Sequence, residues 1–578
     1  MMDPMSISDR VAPASPPAGT DDRYKWVALT NTTVGVLLAT VDSSIMLIAM
    51  PDIFRGIGLD PLLPENSLYL LWMILGYLVT SSVLVVSVGR LGDLFGRVRM
   101  YNLGFVIYTF ASFMLTIDWM TGHAGAWWLI IWRIVQGVGG AFLVGNSGAI
   151  LTDAFPGHQR GLALGINNVA GISGTFIGLV LGGLLAPIDW RLVFLISVPA
   201  GLFGAIWSYR RLRDISTKTR EPIDWLGNVT FAAGLILVMV GITHGIQPYG
   251  NQTMGWGSPM VIGSLVAGVV LLTAFAVIET RVKSPMFRLP LFRIRAFTFG
   301  TLSTFLMALG RGGLMFMMII WLQGIWLPLH GYSFEETPLW AGIYMLPLTV
   351  GFLAAGPLSG ILSDRFGARP FATGGMLGAA LTFVLLMFLP IDFPYWAFAL
   401  ILLLSGLSQG SFASPNRAAV MNSLPARDRG AGGGMNSTFQ NSAQVFSIGI
   451  FFSLMIAGLA AALPSALSSG LLAHHVPAAA ANAVAGSPPV SVLFAAFLGY
   501  NPMEHLLGPD VLAQLPPADA AALTGNTFFP GLISGPFQAG LHIAFGFAVV
   551  ACLIGAACSL FRGSRYVAAD LEAGQKAA

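Results

Sequence analysis

Long apolar runs alternate with short polar or basic segments along the whole chain from residue 27 onward. A bilayer core of about 30 Å is crossed by about 20 apolar residues of helix. That ruler predicts crossings over 27–49, 67–89, 101–118, 126–150, 161–186 and 190–208. Two more follow over 225–246 and 259–280, then six over 296–322, 335–362, 370–390, 394–417, 430–462 and 537–561. The pattern reads as an all-α membrane protein of fourteen helices, grouped six, two and six.

The same pattern divides the chain. A polar tail (1–25) precedes a first six-helix half (26–208), and two linking helices with basic loops follow (209–295). The first five helices of a second half (296–462), an Ala/Pro-rich loop (463–536), the last helix (537–561) and a tail (562–578) complete it. Within the loop, the apolar stretch around Val490 to Leu498 is too short to cross a bilayer. It fits a surface-lying or re-entrant helix, and equally a disordered linker.

Composition supports the membrane reading. The 578 residues are 55% apolar and only 10% charged, more apolar surface than a soluble core can hide. The 69 glycines and 34 prolines suit helices that approach closely and tolerate breaks. The two cysteines, Cys552 and Cys558, share the last apolar run and have no partner loop for a disulfide framework. The run starting near Trp26 shows no small-residue cleavage site, so the first helix is expected to be retained. No Gly-Lys pair occurs, which excludes the phosphate-cradling loop of an ATPase on this chain; if the chain is a pump, its energy comes from a gradient.

Charge gives the orientation. Lys and Arg favour the cytoplasmic side of short loops. With both termini inside, 25 of the 29 Lys and Arg fall inside, Arg55 and Arg191 fall outside, and Arg133 and Arg311 lie within helices. The segment 463–536 has no Lys or Arg and carries Glu504, Asp510 and Asp519, which places it outside.

A short loop occurs twice: GRLGDLFGRVR at 89–99 and GILSDRFGAR at 360–369, each between the second and third helix of its six-helix block. Glycines permit a tight turn there, while Asp93 and Asp364 can accept from helix-start amides and pair with arginine. Two copies at matching places indicate duplicated halves, as in secondary transporters.

With these loops the sequence resembles the major facilitator superfamily over about 27–462, and its six-two-six layout resembles the fourteen-spanner drug:proton antiporter branch. The resemblance implies a gating role for Gly89, Asp93, Gly96 and Arg97, with Asp364 and Arg365 in the second copy. RIVQGVGGA in the fourth span matches the family's Arg-x-x-Gln-Gly element through Arg133, Gln136 and Gly137. Gly165, Gly174, Gly178, Gly182 and Gly183 are spaced like the antiporter signature of the fifth span, with Leu179 where proline is usual. DWRLVFLISVPAG matches another family element through Trp190, Arg191, Phe194, Pro199 and Gly201. The first span matches in Asp42, Ala49 and Pro51, with Leu47 where Asn is usual, and Gln440 stands where arginine is common.

Ionisable residues deep in a membrane are expensive and point to function. Asp42 is the single carboxylate well inside a predicted span. It lies seven residues before the outer end of span one, and Arg133 lies seven after the outer start of span four, so both sit roughly 10 Å deep at about 1.5 Å per residue. Exchange of a proton or a cationic substrate at Asp42, tuned by Arg133, is the functional reading, and a structural ion pair is the other. Arg311, inside GRGG of the ninth span, can hold an anionic group or cap carbonyls exposed by its glycines. Met315, Gln323, Asn146 and Gln440 join it as candidate cavity residues; interhelical hydrogen bonds and lipid-facing packing are their ordinary alternatives. His244 and His542 lack ligand-spaced neighbours, so no metal site and no cofactor is expected.

The expected function is proton-coupled antiport of a small amphipathic substrate, as in multidrug efflux and antibiotic resistance, by a monomer among the lipids of a bacterial cytoplasmic membrane. No nucleic-acid partner is expected. Export of lipids or glycolipids on the same scaffold is the alternative cargo. An intramembrane enzyme or receptor would need convergent catalytic groups that one carboxylate and two arginines do not supply, and duplicated halves argue against a channel.

Overall fold

The computed structural model describes residues 22–563, apart from 61, 157–158, 216–223, 251, 283–284, 286, 426–427 and 500. Inside hydrocarbon every backbone polar group must bond within its own segment, and the apolar runs accordingly form helices. In the first half these are α1 (Asp22–Ile57), α2 (Asn66–Phe95), α3 (Arg97–Thr116), α4 (Gly122–Ala154), α5 (Arg160–Leu185) and α6 (Leu192–Arg211). The linking pair is α7 (Trp225–Gly245) and α8 (Pro259–Glu279). The second half comprises α9 (Arg295–Leu329), α10 (Thr337–Ser363), α11 (Ala368–Met387), α12 (Tyr395–Asn422), α13 (Arg429–Ala473) and α14 (Phe528–Leu560). All fourteen are long and apolar enough to cross a membrane, and no β-strand occurs among the described residues.

The helices run up and down, so one end of the bundle collects the α2–α3 and α10–α11 turns together with most of the Lys and Arg. We call this the basic end. Both turns pivot on the last glycine of the repeated loop: Gly96 has φ +106° and Gly367 has φ +86°, a backbone that L side chains rarely adopt. The duplication seen in sequence is thus repeated in backbone geometry.

Glycines also set the packing within each half. Gly174, Gly178 and Gly182 form one stripe of α5 laid on α1, where a β-carbon on Gly182 would sit 2.9 Å from the Ile45 carbonyl oxygen. Gly137 and Gly145 bring α4 onto the Tyr77 and Val85 carbonyls of α2. The corresponding pair in the second half, α10 and α12, meets through Gly351, Gly406 and Gly410. Gly165 faces open space.

The two halves touch at the end opposite the basic one. Gly183, next to the α5 stripe, meets the backbone of Leu339 in α10, and a β-carbon on Gly342 would lie 3.2 Å from the Leu179 carbonyl oxygen. Leu179, which stands where the resemblance anticipates proline, is fully buried in this seam, and α5 runs through it as one helix. Ser82 of α2 and Ser442 of α13 add a cross-half hydrogen bond of 3.3 Å. The linking pair lies along this α2–α13 side, with Ile242 of α7 against Gly449 of α13.

The helices extend past the sequence pattern at several ends, most at the end of α13 and the start of α14. α13 continues through Pro464 to Ala473, and α14 begins at Phe528, ahead of Pro536, because both prolines are accommodated inside helices. At 45 residues α13 is about 68 Å long and projects well past any bilayer.

Between them the chain forms four short helices: Ala478–Ala485, Pro489–Phe497, Met503–Leu512 and Pro517–Thr524. The first two are bent at 84° to each other, and every residue of Pro489–Phe497 is buried. Of the readings offered by sequence, the stretch is helical and buried inside the bundle rather than a disordered linker. It wedges between α2 of the first half and α9 and α13 of the second. Phe494 stacks on Phe452 at 5.5 Å between centroids, Phe497 lies 5.0 Å from Phe316, and Gly324 of α9 abuts the Ala496 backbone. Asp519 ties the segment to the end of α13 through His474 (3.2 Å) and His475 (2.9 Å). The hydrogen bond from His475, then that from His474, holds the Asp519 carboxyl below its ordinary pKa.

Gly324→Val would place a β-carbon 2.5 Å from the Ala496 carbonyl oxygen. This variant is expected to expel Pro489–Phe497 from its seat. A cysteine placed at Val492 should then become reactive to a membrane-impermeant maleimide, while the same cysteine without Gly324→Val stays protected.

Candidate functional site

Asp42 is brought to the middle of α1 and Arg133 to α4, and both are sealed from solvent, at 0% and 1% exposure. They form a direct ion pair, Arg133 Nη1 donating to Asp42 Oδ2. Gln136, one helical turn after Arg133, completes the carboxylate: its Nε2 donates to Asp42 Oδ1 at 2.9 Å, and its Oε1 accepts from Arg133 Nη1 at 2.6 Å. The remaining groups come from α2 and α3. Arg133 Nε donates to the Met73 carbonyl at 3.2 Å, and its guanidinium lies 4.7 Å from the Tyr77 ring centroid. Gln136 Nε2 also reaches Ser112 Oγ of α3 at 2.9 Å. Tyr77 in turn donates to the Ala39 carbonyl of α1 at 3.1 Å.

The result is a four-helix knot of charge in the core of the first half. Coulomb attraction between unit charges rises as the dielectric falls, yet stripping water from both ions is costly, so such a pair persists only when its remaining donors and lone pairs are satisfied. Here they are met by Gln136, Met73 and Tyr77. Gln136 was legible as the i+3 neighbour of Arg133, but its role as a bridge was not. Tyr77, Ser112 and the Met73 carbonyl arrive from other helices and have no signature along the sequence.

At the basic end, Arg97 clamps two helices. Its Nε donates to Asp93 Oδ1 of α2 at 2.9 Å, and its Nη1 to Asp153 Oδ1 of α4 at 2.7 Å and to the Ala149 carbonyl at 3.3 Å. Gly89 faces open space, whereas Gly92 packs on the side chain of Asn146. In the second copy, the Arg365 guanidinium lies 5.4 Å from the Phe366 ring centroid; the Asp364 side chain is outside the described residues.

The five candidate cavity residues are not gathered into one site. Asn146 is fully buried on α4 and donates to the Phe142 carbonyl at 3.0 Å. Gln323 is buried in a π-helical stretch of α9, Leu322–Trp326, with neither amide atom partnered. Gln440 is exposed on α13. Arg311 and Met315 share one partly open face of α9, and the Arg311 guanidinium lies 5.7 Å from the Phe352 ring centroid of α10. No cluster of metal-ligating side chains occurs among the described residues.

The sequence profile of the Major Facilitator Superfamily matches residues 32–448. The chain belongs to this superfamily. It is therefore a transporter rather than an enzyme, and its relatives include named exporters. It is 25% identical to the multidrug transporter MdtP of Bacillus subtilis over 93% of each chain. It is 26% identical to the tetracenomycin C resistance and export protein of Streptomyces glaucescens, over 93% of this chain and 91% of that one. The riboflavin transporter RibZ of Clostridioides difficile is 26% identical over 74% of this chain and 88% of its own. Among solved structures, an inward-facing bacterial homologue of the human lysosomal transporter Spinster superposes with a TM-score of 0.56 at 15% identity, covering 94% of this chain and 99% of that one. This last likeness is one of fold.

Removing one partner of the buried pair leaves the other charge uncompensated. Arg133→Ala is expected to destabilise the protein by about 3 to 5 kcal/mol, read as a lowered melting temperature of the purified transporter. Asp42→Asn combined with Arg133→Gln should recover most of that loss.

Proposed function

We propose that this member of the superfamily is a proton-coupled antiporter that exports amphipathic drugs or toxic compounds across the bacterial cytoplasmic membrane by alternating access. Both termini are cytoplasmic on this reading, so the basic end faces the cytoplasm. The observation that carries the proposal is the Asp42–Arg133–Gln136 network, the one deep carboxylate of the chain held against a guanidinium.

The coupling works through what that network holds together. Protonation of Asp42 removes the charge that Arg133 Nη1 is bonded to, and Arg133 keeps the Gln136 and Met73 acceptors on its own side. The α1–α4 contact is then weakened from an ion pair to neutral hydrogen bonding, with Gln136 Nε2 still donating to Asp42. Because α5 lies on α1 through Gly174, Gly178 and Gly182, a shift of α1 carries α5 with it. Gly183 of α5 is part of the seam with Leu339 of α10 that closes the far end, so proton loading acts on that closure through two helix contacts. The Arg97 clamp on Asp93 and Asp153 holds the cytoplasmic ends of α2, α3 and α4 as one body during the movement. The names of MdtP and the tetracenomycin exporter support export of drug-like cargo.

Asp42→Asn tests the coupling directly. In energised inside-out vesicles this variant is expected to lose proton-driven substrate uptake while retaining substrate exchange down a concentration gradient. Undiminished proton-coupled transport would sink the proposal. Proton release on substrate addition to purified protein, compared across cationic drugs, anionic lipids and neutral controls, separates drug export from lipid or glycolipid export.

A further inference from the structure

Arg311 is a deep cation for which the described structure supplies no anion. It lies in the middle of α9, the first helix of the second half, as Asp42 lies in the middle of α1, the first helix of the first half. Asp42 precedes the repeated-loop glycine Gly89 by 47 positions, and Arg311 precedes the matching Gly360 by 49. The two halves therefore carry a charged group at comparable places, but only the first half neutralises its own. Among the described residues Arg311 makes no ion pair and no hydrogen bond, and its recorded contact is the face of Phe352.

Local packing fixes where the side chain goes. Gly310 faces Cys552 of α14 and Phe383 of α11, Gly312 faces Gln444 and Ser447 of α13, and Gly313 faces Phe451 of α13. Those sides of α9 are closed by backbone pressed on neighbouring helices. Arg311 is turned away from them toward α10, and no backbone carbonyl exposed by the glycines accepts from it. Met315, one turn further along, shares its partly open face, whereas Phe316 to Leu322 are buried. α9 also touches α1, which puts this helix at the junction of the halves.

No nearby carboxylate can serve as a counter-charge. Within the bounds of α9 to α14 the sequence has no acidic residue; Glu335, Glu336, Asp364, Asp392 and Asp428 all lie beyond the helix ends. A second cation, Arg417 of α12, stands exposed nearer the basic end, donating to Asn168 Oδ1 of α5 at 2.8 Å across the halves. An arginine deep in a membrane protein faces the bundle interior or a water-filled cavity and pairs with a counter-group. Among the described residues no such group stands beside Arg311.

We propose that the cargo carries an anionic group, such as a carboxylate, sulfonate or phosphate, which binds the Arg311 guanidinium, with the apolar part of the molecule against Met315 and Phe352. Guanidinium suits such groups because its forked donors match two oxygens at once. Arg417 raises the positive potential on the path between the basic end and this site. The inference rests on the transport reading above and names its substrate class as amphipathic anions.

The test uses the full chain in sealed proteoliposomes with fluorescein as amphipathic anion and ethidium as amphipathic cation. Wild type is expected to move fluorescein in preference to ethidium. Arg311→Gln should raise the KM for fluorescein by about tenfold to a hundredfold, the range for losing one charge-assisted hydrogen bond. Arg311→Lys should retain more of the anion transport than Arg311→Gln, and monodisperse elution with an unchanged melting temperature checks that each variant folds. Preference for ethidium, an unchanged KM in Arg311→Gln, or no fluorescein movement by wild type would overturn the proposal. Proton-driven ethidium transport alongside any of those results would leave the antiport reading standing and remove the anion alone.

Discussion

Helices inside a bilayer gain little by hiding apolar side chains from one another, since lipid tails are as apolar as leucine. What holds this bundle is how closely its backbones approach, and glycine sets that distance. The stripe Gly174, Gly178 and Gly182 lays α5 on α1, and Gly351, Gly406 and Gly410 do the same for α10 and α12. The neighbouring Gly183 belongs to a different contact, the seam with α10. One helix thus presents adjacent small residues to its own half and to the opposite half. A bulky residue at Gly174, Gly178 or Gly182 would press on α1 and one at Gly183 on α10, and because one helix carries both contacts the seam is mechanically tied to the α1–α5 contact.

The second organising fact is where charge is compensated. Arg97 meets two carboxylates at the basic end, where water also helps. Arg133 meets one carboxylate in the dry core and needs Gln136, Met73 and Tyr77 to complete its surroundings. The first half is therefore electrically closed and the second is not. This asymmetry between duplicated halves separates roles: one half holds an internal ion pair, the other an arginine with no ion-pair partner among the described residues.

The helix count, the six-two-six grouping and the repeated loop were legible because hydrophobic length and glycine spacing are properties of sequence alone. Asp42 and Arg133 were also legible, since equal depth along two helices makes pairing possible and the family resemblance implies that those helices are neighbours. The partners Tyr77, Ser112 and the Met73 carbonyl were hidden because they come from other helices, and a backbone carbonyl has no sequence signature. The helices α13 and α14 run past the lengths that a bilayer requires, and they include Pro464 and Pro536. The burial of Pro489–Phe497 was undetermined, because a short, mostly apolar stretch looks the same whether it lies on a membrane surface or inside a protein. Asn146 shows the limit for polar residues at helical depth: its place against Gly92 depends on which way α4 is rotated.

The short buried helix has a consequence for how the molecule is made. Nine residues of helix span about 13.5 Å, less than half of a bilayer core, so Pro489–Phe497 cannot cross the membrane or rest in lipid with its ends satisfied. Its seat is built from α2, α9 and α13, which belong to both halves and are made earlier in the chain. The segment has nothing to bury against until those helices have met. Assembly of this end is therefore ordered: the halves join first, and the short helix then closes over their junction, making its docking a late marker of correct maturation.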